Sequence, residues 1–307
     1  MTTVLPQDPM VVAPAARVET PFRRFVVDFC DSKLALAGLF VFVAVIIIAL
    51  VAPSISPQNP YDLSQLDILD GRQPPGTMSA SGFVFWLGSD DQGRDMLSGI
   101  FYGLRISLAV GVISTVIALV VGAGLGLLAA YAGGRLEGFI MRIVDIQLSF
   151  PAILVALILL AVLGQGMSKI IVALVTVQWA YYARTVRATA LVERRKEYVE
   201  AARCLALSHS RIMFRHLLPN CMPPLIVVAT VQVAHAIALE ATLSFLGIGL
   251  PITEPSLGLL IARGYEYLLS GKYWISFFPG LALLVTIVSI NLIGDQLRDV
   301  LNPRLQH

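Results

Sequence analysis

The chain has 307 residues, of which 57% are hydrophobic and 14% are charged. Soluble domains carry roughly 45–50% apolar and about 25% charged residues, so this composition excludes an ordinary soluble enzyme and predicts an all-α membrane protein with several spans. The net charge of +2 is too small to indicate nucleic-acid binding. Cys30, Cys204 and Cys221 form no CxxC pair, so we expect neither a disulfide framework nor a metal site.

Six apolar segments are candidates to cross the roughly 30 Å of bilayer hydrocarbon as helices. The fourth of these segments, residues 169–183, is short and is interrupted by Gln178 and Trp179. Gly122 and Gly126 in the second span have small-xxx-small spacing, which predicts close packing against another span. The six predicted spans are residues 34–52, 104–130, 143–163, 169–183, 224–247 and 276–297.

A polar segment, residues 53–100, separates the first two spans. It contains five prolines and six aspartates, and we expect it to form a periplasmic loop with a short helix. Ser89 followed by Gln92 has the spacing of a capping box, which predicts that a helix begins near Asp90 and continues into the second span.

Basic residues are distributed unevenly between the two sides that six spans define. If the N-terminus is inside, 16 of the 22 Lys and Arg residues fall on inner segments, so the positive-inside rule places both termini in the cytoplasm. The cytoplasmic tails are then residues 1–33 and 301–307, and residues 101–300 form the core transmembrane domain. Half of those 16 basic residues lie in one inner loop, residues 184–221.

The inner loop is predicted to be helical despite its charge. Apolar positions recur at helical spacing and predict an amphipathic helix; they are Tyr198, Ala201, Ala202 and Leu205. A second short helix is predicted to begin at Ser208 and to end at Pro219. The pattern fits both a knob that another protein grips and a hairpin on the lipid surface.

Part of this loop resembles the EAA loop of the ATP-binding-cassette importer permeases. The residues at the positions of that pattern are Glu200, Ala201, Ala202, Ala206, Leu218 and Pro219, and all but Ala206 match it. The resemblance implies that they form coupling helices seated in a cleft of a cytoplasmic ATPase subunit. The family has glycine where this chain has Ala206, so the turn there either avoids left-handed geometry or carries strain on the order of 1 kcal/mol.

Four further segments, in the same order along the chain, look like the C-type subunits of the dipeptide and oligopeptide branch of that family. They are 87–95, 141–145 with Pro151, 243–249 and 291–295. The resemblance implies the type I importer permease fold in the bacterial inner membrane and a path for di- and oligopeptides or similar small solutes. It also implies a second homologous permease subunit, two cytoplasmic ATPases and an external substrate-binding protein as partners, besides membrane lipid.

The sequence itself lacks the motifs of ATP hydrolysis. Its Gly271-Lys272 pair is followed by Tyr273 and has no upstream glycine, so GxxxxGK[ST] is missing, as are HExxH and GxSxG. We therefore expect no catalytic residue and no cofactor on this chain, with ATP and Mg²⁺ bound by the partner ATPases.

Two acidic residues lie where the bilayer makes charge expensive. Glu240 in the fifth span is either a path or gating carboxylate or a structural hydrogen-bond acceptor. Asp145, near the inner edge of the third span, either forms a static pair, for example with Arg142, or moves as a gate. The alternative function is a secondary transporter that uses one of these carboxylates as an ion site, although the sequence shows no internal repeat.

Overall fold

The computed structural model describes residues 21–301, except residues 252 and 255. It is a helical bundle with one small hairpin, in which β1 (Thr77–Met78) pairs with β2 (Val84–Phe85) in antiparallel register. The helices are α1 (Pro21–Cys30), α2 (Lys33–Ile55), α3 (Met96–Ala132), α4 (Gly134–Ser149), α5 (Ala152–Leu163), α6 (Met167–Glu193), α7 (Glu197–Cys204), α8 (His209–Arg211), α9 (Leu218–Phe245), α10 (Leu257–Tyr267) and α11 (Trp274–Leu301).

The tails predicted from the sequence are covered only in part. Residues 1–20 and 302–307 lie outside the described residues. Within the predicted N-terminal tail, α1 is a helix that packs against the last one, because the Gln296 side-chain amide donates to the Asp28 carbonyl oxygen at 2.9 Å.

Four helices of the described chain are long and apolar enough to cross a bilayer: α2, α3, the continuous helix from His209 to Phe245, and α11. α4 and α5 would together make a fifth, although they meet at an angle of 93°. The predicted third span, 143–163, is therefore not one straight helix, because Pro151 has no N–H to donate and disfavours helical geometry at Phe150. α6 is long enough but more polar, so the count of six remains a prediction.

The helix of the predicted second span begins later than its sequence suggests. Asp95 caps α3, its carboxylate accepting from the Ser98 backbone N–H at 2.8 Å. The predicted start near Asp90 is wrong because Ser89 is engaged elsewhere. Its hydroxyl donates to the Asp70 carbonyl oxygen at 2.5 Å and accepts from the Gln73 N–H at 2.7 Å.

The segment from residue 56 to residue 95 is held by side-chain hydrogen bonds. Its helical content in the structure is two three-residue 3₁₀ turns, Leu63–Gln65 and Ile68–Asp70. Gln58 bridges its two ends, donating to the Gln65 carbonyl oxygen at 2.9 Å and accepting from the Asp95 N–H at 2.7 Å. Trp274 at the start of α11 donates to the Ser89 carbonyl oxygen at 3.2 Å. These contacts fix the segment over the end of the bundle.

Close contact between α3 and α6 forms the centre of the bundle. A Cβ atom on Gly122 would lie 2.3 Å from the Trp179 carbonyl oxygen, and one on Gly126 would lie 2.4 Å from that of Ala183. No side chain fits at either place, which confirms the close packing predicted from the glycine spacing. α2, by contrast, exposes large apolar side chains such as Phe40 and Leu50, 77% and 73% exposed, as expected of a face turned to lipid.

Candidate functional site

The residues of the predicted coupling loop form a compact unit on the bundle. α7 turns at residues 205–208 into α8, and a π-helical turn, Ile212–Leu217, leads from α8 into α9. Val199 and Ala202 of α7 are buried in one cluster with Ile212 and Leu217. The same cluster includes side chains of α3, α6 and α9, so the loop is packed into the bundle core rather than suspended from it.

The predicted inward face of α7 is partly wrong. Ala202 is buried and Tyr198 half-buried as expected, but Ala201 is exposed and Leu205 is 74% exposed. α7 has only eight residues, so the burial of one pair of side chains a turn apart, Val199 and Ala202, is enough to pack the helix against the bundle. Glu200, Ala201 and Leu205 therefore lie on the outer surface of the loop.

A Schellman motif closes α7, and Ala206 stands at its left-handed position. The Leu207 N–H donates to the Ala202 carbonyl oxygen at 3.2 Å, and the Ala206 N–H donates to that of Arg203 at 2.9 Å. Ala206 has a φ of +53°. Of the two possibilities left open by the sequence, the strained left-handed turn is the one observed.

The second helix of the loop begins at Ser208 as predicted but does not end at Pro219. Pro219 lies in the first turn of α9, which continues from the π turn. The missing N–H of proline is tolerated because the π turn already interrupts the regular hydrogen-bond ladder. In addition, the Asn220 side-chain amide donates to the His216 carbonyl oxygen at 2.7 Å. Leu218 packs against the buried cluster, and Pro219 is exposed.

A polar junction that the sequence did not reveal fastens the loop to the end of α6. Buried Glu193 accepts from the Tyr198 hydroxyl at 2.8 Å and from the Lys196 ammonium at 2.6 Å. The Asn220 amide donates in turn to the Tyr198 hydroxyl oxygen at 3.2 Å. Burial and the hydrogen bond to Glu193 raise the pKa of Tyr198 to about 12, so its hydroxyl stays protonated. No spacing pattern links these residues, because the whole loop separates Glu193 from Asn220.

Asp145 is paired with a different arginine from the one suggested by the sequence. Its carboxylate lies 2.5 Å from the guanidinium of Arg184 on α6, not on its own helix with Arg142. Both side chains are more than half exposed, so the pair contributes little to stability. This arrangement favours the static alternative for Asp145, and the gating role stays a prediction.

Glu240 lies in the packed interior, with no exposed surface. Its two carboxylate oxygens accept from the Ser107 hydroxyl of α3 at 3.0 Å and from the Ser244 hydroxyl of α9 at 2.8 Å. The arrangement favours the structural alternative, a link between two helices. Glu240 and Asp145 do not form a common site, since one is buried between α3 and α9 and the other is exposed on α4.

Metal-ligating residues do not converge in the described part of the chain. Among residues 21–301 without 252 and 255, no group of three or more His, Cys, Asp or Glu side chains is placed to hold an ion.

The sequence of this chain matches two family models. Residues 122–307 match the binding-protein-dependent transport system inner membrane component, and residues 20–75 match the N-terminal transmembrane domain of oligopeptide transport permease C. The first match spans more than half of the chain. The chain therefore belongs to the family of binding-protein-dependent transport system inner membrane components.

Relatives and a solved structure agree with this assignment. The chain is 37% identical over 300 residues to the di/tripeptide transport system permease protein DppC of Pseudomonas aeruginosa, covering 98% of this chain and 96% of the relative. It is 36% identical over 278 residues to the oligopeptide transport system permease protein OppC of Bacillus subtilis, covering 91% and 88%. These relatives favour the importer permease over an ion-driven secondary transporter.

The fold is also that of a solved importer. A chain of the MetNI methionine ABC transporter in an inward-facing conformation superposes with a TM-score of 0.54 at 22% identity, covering 67% of this chain and 98% of that one. This match confirms the predicted type I importer permease fold.

Proposed function

We propose that this chain is the permease subunit of an ATP-driven importer, forms half of the path for di- and oligopeptides, and lies in the bacterial inner membrane. The peptide transport functions given in the names of its relatives support a peptide solute. In this proposal a second homologous permease supplies the other half of the path. An external binding protein delivers the solute, and two cytoplasmic ATPases bind ATP and Mg²⁺ on separate chains.

The geometry of the loop from α7 to α9 is the observation that carries the proposal. Glu200 and Ala201 face outward, whereas Ala202 and Leu218 are packed into a cluster that also holds side chains of α3, α6 and α9. A push on the outer surface would therefore move the core of the bundle, which is what coupling to an ATPase requires. Ala206 forms the left-handed turn between α7 and α8, and exposed Pro219 lies where the loop continues into α9.

A charge reversal in the loop tests the coupling. We expect Glu200→Lys to abolish peptide uptake by the assembled transporter and to weaken co-purification of the ATPase while the chain still inserts, because the exposed carboxylate would contact that subunit. Glu197→Lys, exposed at the start of the same helix but outside the EAA-like pattern, is the matched control. Wild-type uptake and co-purification in Glu200→Lys would contradict the proposal.

Gene order provides an independent test. We expect neighbouring reading frames to encode an ATPase with a phosphate-binding loop, a second permease and a secreted binding protein. The absence of all three from the genome neighbourhood would count heavily against the importer assignment.

A further inference from the structure

A cavity of about 370 Å³ lies between α5, α6 and α9. Volumes of about 300–1,000 Å³ are typical of sites for small molecules. Apolar side chains from the start of α5, such as Ile153, form one side of it. Val177, Ala238 and Leu239 add further apolar surface from α6 and α9. Five polar residues complete the lining: Gln178, Tyr181, Gln232, His235 and Thr242.

The mouth of the cavity carries polar side chains of α6 and of the apolar helix α9. His235 and Thr242 are exposed and lie about two turns apart on α9, and Tyr181 of α6 is 44% exposed beside them. An imidazole without hydrogen bonds is costly in hydrocarbon. This face of α9 must therefore be turned to water or to a polar partner rather than to lipid.

The floor of the cavity contains an unfilled donor. Gln178 accepts from the Thr115 hydroxyl at 3.3 Å and donates to the Gln232 carbonyl oxygen at 3.4 Å. The side-chain nitrogen of Gln232 has no hydrogen-bond partner among the described residues, although that residue is only 7% exposed. A buried amide nitrogen left in this state is destabilising, and a bound acceptor would remove that penalty.

Half of the residues that line the cavity are polar, and none of them carries a permanent charge. None of the described residues that form the cavity is Asp, Glu, Lys or Arg. Such a site suits a group that both donates and accepts hydrogen bonds while carrying no net charge, and the peptide amide is that group. We infer that this cavity is a subsite of the solute path that binds the backbone amides of the transported peptide. The inference rests on the proposed function and deepens it.

Transport measurements test the subsite in the assembled importer. With trialanine loaded on a saturating amount of the binding protein, we expect His235→Leu and Thr242→Val each to lower the maximal uptake rate about threefold to tenfold, the effect of losing one hydrogen bond. His235→Gln restores a hydrogen-bonding side chain and should recover most of the rate. An ester analogue of trialanine, which lacks the amide N–H, should be less affected by Thr242→Val than trialanine is.

The matched control for these variants is Thr230→Val. Thr242 and Thr230 both lie on α9 and both donate to their own helix, to the Ala238 carbonyl oxygen at 2.8 Å and to the Ile226 carbonyl oxygen at 2.9 Å. Thr230, however, faces Gly294 of α11. We expect this variant to transport like the wild type. Wild-type uptake by both cavity variants, or equal loss in Thr230→Val, would overturn the subsite. Failure of the unaltered importer to take up di-, tri- and tetra-alanine would instead contradict the proposed function.

Thiol labelling tests the cavity without relying on transport. In a background with the three native cysteines replaced by alanine, we expect a charged, membrane-impermeant thiol reagent to modify His235→Cys at least tenfold faster than Thr230→Cys. Trialanine with the loaded binding protein should slow that labelling. Equal labelling of the two positions would show that the cavity is not aqueous, and labelling unaffected by peptide would show that peptide does not enter it; either result overturns the inference.

Discussion

Ala206 holds a backbone conformation that favours glycine. With a φ of +53° it occupies the left-handed position of the Schellman motif that ends α7. We expect Ala206→Gly to stabilise the folded chain by about 0.5–1 kcal/mol, because glycine removes the steric cost of positive φ. Glycine also increases the entropy of the unfolded chain, but this effect cancels only part of the gain. The midpoint of thermal unfolding in detergent measures the change.

The matched control for Ala206→Gly is Ala201→Gly, in the interior of the same helix. There glycine gains nothing from positive φ and should destabilise the chain by about 1 kcal/mol. If both variants lower the unfolding midpoint, the strain at Ala206 is absent in the folded protein.

Asp90 is a buried carboxyl group whose environment opposes its charge. One of its oxygens accepts from the Gln92 and Arg94 backbone N–H groups, each at 2.8 Å, and the other has no hydrogen-bond partner among the described residues. Burial raises the pKa of Asp90 to about 6, although these N–H groups and the charge of Arg94 partly oppose the shift. The folded chain therefore binds this proton more tightly than the unfolded chain, whose Asp pKa is about 3.9.

This pKa predicts how pH affects the segment from residue 56 to residue 95. The stabilising contribution of the protonated carboxyl is complete below about pH 4 and is lost as pH rises through about 6, a change on the order of 2–3 kcal/mol. In Asp90→Asn, which keeps the accepting oxygen, that dependence should disappear. Hydrogen exchange of the Gln92 and Arg94 amides at pH 4.5 and pH 7 measures it. Equal pH dependence in variant and wild type would exclude Asp90 as the titrating group.

The elements of the coupling loop were predictable in position but not in detail. Charge and apolar spacing located a helical loop at 184–221, and Ser208 correctly marked the start of its second arm. The inward face of α7 was misassigned because eight residues contain too few turns for apolar periodicity to choose between Val199 and Ala201. The continuation of the helix through Pro219 depends on a π turn and on Asn220, and neither has a sequence pattern of its own.

The Tyr198 hydroxyl joins three elements, since it donates to Glu193 of α6 and accepts from Asn220 of α9. We expect Tyr198→Phe to cost about 1–3 kcal/mol, because a buried carboxylate loses a donor. The loss should loosen α7 selectively and increase protease cleavage within residues 194–211. Tyr265→Phe on α10, whose ring is 64% exposed, is the control and should change stability by less than about 0.5 kcal/mol. Equal cleavage of both variants would exclude Tyr198 as a fastening point.

At the scale of the whole molecule, composition and charge distribution were enough to predict a helical membrane protein, and the resemblance predicted its importer fold. The break between α4 and α5 has a local cause at Pro151, but no sequence pattern gave its angle of 93°. The hydrogen-bonded segment before α3 was not predictable, because it depends on contacts between distant parts of the chain. Glu240 illustrates the same limit. The sequence was enough to place Glu240 in a span. Its hydrogen bond to Ser107 was not predictable, because no sequence pattern indicates that α9 packs against α3.

Whether α6 crosses the membrane decides the topology of the whole chain. Its uncharged stretch between Lys169 and Arg184 rises only roughly 20 Å at 1.5 Å per residue, less than the hydrocarbon thickness. Ion pairs with α4 extend the stretch that can be buried, because Arg184 lies 2.5 Å from Asp145 and Arg187 lies 2.5 Å from Glu137. We therefore expect α6 to be a full span that is paired with α4 at its inner end.

Reporter fusions test this expectation. If α6 is a span, a reporter fused after Gln165 lies outside and one fused after Met213 lies in the cytoplasm, while a fusion after Ser81 gives the outside reference. If α6 stays on one side while the other five spans cross, the Gln165 and Met213 fusions both report the outside, and the loop bearing Glu200 lies outside with them. That result would place both the coupling loop and the C-terminus outside, beyond the reach of a cytoplasmic ATPase. The Met213 fusion therefore tests the topology and the proposed coupling surface together.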